Sequence, residues 1–111
     1  MGVGAEFRGV SYTVTKTASY TLTLAELGTT VRMNVASANT ITIPNDTNLA
    51  TAVGAWFNWR QVGDGATTLV ADTGVTLNLG ASGGLTAVGK GAAGTCQKVA
   101  ANTWDVYGEL Q

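Results

Sequence analysis

The sequence contains no histidine, one cysteine (Cys96) and one proline (Pro44). Without an imidazole, Ser-His-Asp and Cys-His catalysis are excluded, and so are most zinc sites. A lone cysteine cannot close a disulfide within the chain. Set among small and apolar neighbours, Cys96 reads as a small buried hydrophobe rather than a reactive thiol. Charge is also scarce, at 12% of residues against about 25% in an ordinary domain. The six basic residues, Arg8, Lys16, Arg32, Arg60, Lys90 and Lys98, are scattered, and the net charge is −1. Nucleic acid needs a basic stripe to neutralise phosphates, so it is not expected as a partner. No run of about 18 apolar residues marks a membrane span, and MGVGAEFRGV lacks the apolar centre of a signal peptide.

Threonine, alanine and glycine fill nearly half of the 111 positions. This length predicts one domain with one modest core. A surface with so few charges suits a chain that covers itself with copies of itself or with another protein.

Period-2 alternation with β-branched residues recurs along the chain and predicts strands. Residues 19–24 put Tyr20, Leu22 and Leu24 on one face; residues 30–35 do the same with Val31, Met33 and Val35. Residues 39–43 add Ile41 and Ile43, and Pro44, which cannot donate to a ladder, ends that strand. Between the first two runs, residues 24–28 predict one helical turn closed by Gly28, with Leu27 under the sheet. Residues 45–53 read as a polar loop anchored by Leu49.

Ala55-Trp56-Phe57-Asn58-Trp59-Arg60-Gln61-Val62 carries bulky residues at adjacent positions, so both faces of this strand should meet something. Gly63-Asp64-Gly65 predicts a tight hairpin turn back into residues 67–71. Further strands are expected at 75–79 and, weakly, 85–88, with a closing hairpin pairing 95–99 with 103–107. Seven to nine short strands and no helical stripe predict an all-β fold, a single antiparallel β-sandwich or small β-barrel. Residues 1–9 form an extended N-terminal arm in this reading, and 10–111 the β-domain.

Gly89-Lys90-Gly91-Ala92-Ala93-Gly94 matches the dinucleotide fingerprint letter for letter. That motif works only between a strand and a helix, and here a strand follows, so a glycine-permitted corner is expected and no cofactor. Asp46, Asp64 and Asp72 sit in predicted turns, where aspartate serves local hydrogen bonds. No spacing points to a glycosidase pair or another enzyme. Trp56, Phe57 and Trp59, beside Arg60, fit a sugar- or base-stacking platform less well than a core or a subunit contact.

The segments SYTLTLAELGTTVRMN, NTITIPNDTN, VGAWFNWRQVGDGATTLVADTGVTLN and AANTWDVYGEL together resemble a β-domain of tailed-bacteriophage virion proteins. The resemblance spans roughly residues 16 to 110. That domain occurs in head decoration (cement) proteins and in tail-fibre or tailspike modules. The resemblance implies a homotrimer that binds the major capsid protein on the outer surface of the head. A chain that begins at Met and is nearly all β-domain fits the decoration role better than a tail-fibre or receptor-binding knob recognising a host glycan. The expected capsid contacts are Phe7, Arg8 and Val10 in the arm, and the expected subunit contacts Trp56, Phe57, Trp59 and Arg60.

Overall fold

The computed structural model describes residues 12–111. The expected arm, with Phe7, Arg8 and Val10, lies outside them. Nine strands form in chain order: β1 (Tyr12–Lys16), β2 (Tyr20–Thr21), β3 (Thr29–Met33), β4 (Asn39–Ile43), β5 (Trp56–Gln61), β6 (Thr67–Ala71), β7 (Thr76–Asn78), β8 (Ala93–Ala100) and β9 (Thr103–Gly108). They make a six-stranded sheet, ordered β1-β3-β5-β8-β9-β7, and a three-stranded sheet, ordered β2-β4-β6. The fold is all-β, as composition and alternation predict.

Strand direction departs from expectation. β1, β3 and β5 run parallel, as do β2, β4 and β6, and β7 runs parallel to β9. Only β5–β8 and β8–β9 are antiparallel pairings of named strands. The sheets are therefore mixed, not antiparallel. The reason lies in the connections. From β1 to β6 the chain alternates between the two sheets, so each return to a sheet adds a strand in the same direction. Parallel pairing needs a long crossover, and the other sheet's strand with its loops supplies it. Asn39 and Thr67, 28 residues apart, are register partners on successive circuits.

The corners between sheets stack as the strands do. Val62 and Gly63 N–H groups donate to Met33 O, and the Gly65 N–H donates to Val35 O at 2.9 Å. A Cβ on Gly65 would collide with the backbone of Ser37, so the corner can approach this closely only with glycine. The expected hairpin between 55–62 and 67–71 does not form: β5 pairs with β3 and β8, and β6 pairs with β4. Gly63-Asp64-Gly65 turns the chain from one sheet to the other instead.

Inside these corners lies a buried amide network. The Thr67 hydroxyl donates to Asn39 Oδ1 at 2.7 Å, and Asn39 Nδ2 donates to Ser37 O and Gly65 O. Gln61 Nε2 donates to Gly63 O and its Oε1 accepts the Thr67 N–H. Asn39, Gln61 and Thr67 thus find partners at the level where sheet hydrogen bonding stops.

Alternation sets the core. In β3 and β4 every second residue is buried, so Val31, Met33, Ile41 and Ile43 pack against Leu69, Phe57, Trp59, Trp104 and Val106. Each such side chain contributes about 1.5–3 kcal/mol on burial. Phe57 and Trp104 meet edge to face, 6.1 Å between centroids. Cys96 is fully buried among them, and burial pushes its thiol pKa up. The helical turn expected before Gly28 is a 3-10 turn, Leu24–Glu26. The Glu26 carboxylate accepts the Thr23 N–H and hydroxyl, and pairs with Lys16. Residues 85–88 contribute two isolated bridges rather than a strand. The closing hairpin forms as expected, with Asn102 at φ 51 in its turn.

Loop 45–53 is fixed by charge as well as by Leu49. Lys98, only 3% exposed, donates from Nζ to Asp46 Oδ1 at 2.7 Å, Thr51 O at 2.7 Å and Thr51 Oγ1 at 3.0 Å. Asp46 also exchanges hydrogen bonds with the backbone N–H and side chain of Asn102. One buried ammonium thus ties the loop to the closing hairpin.

Candidate interaction face

The outer face of the six-stranded sheet gathers the side chains that alternation turns away from the core. On β5 these are Trp56, Asn58 and Arg60; Phe57, Trp59 and Gln61 point inward and are buried. Of the four residues expected to meet a second subunit, Phe57 and Trp59 therefore serve the chain's own core. Trp56 is 37% exposed and Arg60 is exposed. Of the two faces expected to meet something, the inner one alone is covered within the chain. The inner side meets the core and the outer side faces solvent.

At one end of the β5 row, Trp56 stands beside two segments with exposed valines. Val53 lies in the loop entering β5, and Val99 at the irregularity of β8. The middle is polar and internally bonded. Asn58 Nδ2 donates to Thr30 Oγ1 at 3.3 Å, and the Thr95 hydroxyl donates to Asn58 Oδ1 at 2.7 Å. With Ala93 and Gly94 as floor, these residues line a shallow depression of about 390 Å³. Farther along the face, Asp105 accepts from Asn78 Nδ2 and from the Tyr107 hydroxyl; the latter bond pushes the phenol pKa up.

The other end of the row is basic. Arg32 and Arg60 are register partners on β3 and β5. With Lys90, Gln61, Val62 and Gly91 they line a second depression of about 340 Å³. Three basic residues that look scattered in sequence thus converge. The signal was thin: Arg32 and Arg60 lie on the outward phase of their strands, but only the parallel register brings them side by side. Arg60 lines both depressions.

Each described carboxylate has a hydrogen-bond or ion-pair partner. Glu26 bonds Thr23 and Lys16, Asp46 bonds Lys98 and Asn102, and Asp64 pairs with Lys90. Asp72 accepts the N–H groups of Asn45 and Thr73 and Nδ2 of Asn48, and Glu109 accepts the Ala93 N–H. Asp46 is held below the usual carboxylate range chiefly by the Lys98 hydrogen bond, and Asp72 chiefly by the Asn45 N–H. Among the described residues, no group of three His, Cys, Asp or Glu side chains could hold a metal ion. The fingerprint-like stretch 89–94 runs through a turn, with Gly91 at φ 89, directly into β8. No protein-family model, no curated protein and no solved structure matches the chain.

Proposed function

We propose that this chain is a structural virion protein, a capsid decoration (cement) protein that binds the outer surface of a bacteriophage head. Its partners are the major capsid protein and two further copies of itself. The observation that carries this reading is the division of labour among side chains. The described carboxylates are spent on holding the fold, while a large aromatic residue, Trp56, stands exposed beside Val53 and Val99. Tryptophan at the surface of a charge-poor domain is the residue type on which subunit interfaces concentrate their energy. The sequence resemblance supplies the particle. The two separate sheets around one core fit a sandwich better than a closed barrel.

The subunit contact in this reading centres on Trp56, because Phe57 and Trp59 are interior and Arg60 stands at the basic end of the row. Phe7, Arg8 and Val10 remain the proposed capsid contacts. Two comparisons test the scheme. Deleting residues 1–9 should abolish retention on heads while leaving the fold intact; unchanged retention would remove the arm from docking. Chemical crosslinking should capture trimers of the wild type and lose them in Trp56→Ser. Monomers alone in the wild type would overturn the self-association.

A further inference from the structure

We propose that the depression lined by Arg32, Arg60 and Lys90 is a binding site for a tetrahedral oxyanion, a phosphate or sulfate group. It does not depend on the virion reading. Arg32 and Arg60 are outward-facing partners on adjacent parallel strands, which places their stems about 4.8 Å apart. Like charges so placed repel, yet neither guanidinium has an ion-pair or hydrogen-bond partner among the described residues. The other described lysines show the contrast: Lys16 pairs with Glu26, and Lys98 with Asp46. The third cation of the depression, Lys90, pairs only with Asp64, at 3.2 Å and with the aspartate side chain 80% exposed.

A chain with six basic residues and a net charge of −1 therefore concentrates three of them in one depression and leaves two unneutralised. The Arg60 head is directed to the corner that carries Lys90: one Nη atom lies 3.9 Å from where a Cβ on Gly91 would stand. Two guanidinium forks and an ammonium around a space of about 340 Å³ match the several acceptor oxygens of a phosphate or sulfate. The neighbouring Thr30, Asn58 and Thr95 give room for a carrier to which the group is esterified.

The test uses the whole chain with inorganic phosphate and inorganic sulfate as probes, against sodium chloride at matched ionic strength. Phosphate and sulfate should raise the melting temperature saturably, with Kd on the order of 1 mM. They should also shift the arginine side-chain Nε–Hε signals in NMR spectra. In Arg32→Gln and Arg60→Gln the Kd should rise at least tenfold, with stability in chloride equal to or above wild type because the repulsion is relieved. Glucose 6-phosphate distinguishes the sources: tighter binding than free phosphate assigns the site to an esterified group, and equal or weaker binding to the free ion. Three results would overturn the proposal. Chloride could produce the same response, both glutamine variants could keep it, or a polyglutamate peptide could bind where phosphate and sulfate do not, which would make the depression a docking point for acidic protein segments.

Discussion

The indole of Trp59 fills the space that a side chain on Gly94 would need. The two residues are partners across the β5–β8 pairing, and a Cβ on Gly94 would lie 2.5 Å from Cζ2 and 2.7 Å from Cε2 of the ring. The adjoining register partner, Gly108, leaves the same space open on β9. The ring thus packs against the inner side of β8, directly beneath the strand that floors the outer-face depression.

Gly94→Ala should therefore destabilise the fold by about 1–3 kcal/mol or more, the range for overpacking. Trp59→Ala should cost about 3–5 kcal/mol through the cavity it leaves. Urea unfolding followed by tryptophan fluorescence measures the first, and circular dichroism the second. A neutral Gly94→Ala would show that the ring is not held against this strand.

The acid limb of stability should belong largely to Asp46 and Asp72. Both carboxyls titrate lower in the folded chain than when unfolded. Their contribution is complete above the unfolded value, near about 4, and is lost as pH falls through the lowered folded values. The melting temperature should hold from pH 7 to about 5 and fall below about 4. Asp46→Asn should flatten that fall and lower the melting temperature at pH 7. It should also destabilise more than Lys98→Met, because it leaves a buried ammonium without its carboxylate whereas the reverse change leaves a carboxylate that water can reach. Equal melting temperatures for the two variants would contradict the role given to Lys98.

Thr67→Val keeps the shape of the corner and removes the hydroxyl that Asn39 Oδ1 accepts. With Asn39 buried, the orphaned oxygen should cost about 1–3 kcal/mol. Thr40→Val, on the outer side of β4, should change stability by less than about 0.5 kcal/mol. Chemical denaturation of the pair checks this, and equal losses would remove the corner network from the account.

The strands were legible because alternation of size and polarity is local. Their direction was not, because nothing in Thr29–Met33 or Asn39–Ile43 states which sheet the next turn will reach. The 28-residue circuit leaves only a faint trace: Arg32, Ala38 and Thr40 match Arg60, Ala66 and Thr68, and the other paired positions differ. Gly63-Asp64-Gly65 offers the same backbone freedom to a hairpin and to a stacked corner, and only the backbone of Val35 and Ser37 beneath it decides between them. Of the candidate site, the outward phase of Trp56, Asn58 and Arg60 could be read from β5. The company of Arg32 and Lys90 could not, since parallel register creates it.

The measurement closest to the central claim is co-fractionation of the purified chain with isolated phage heads and, separately, isolated tails on a density gradient. A capsid decoration protein should move with the heads at a saturating copy number and leave the tails bare. Recovery with tails or with host envelope, and none with heads, would contradict that account and make the chain a receptor-binding module.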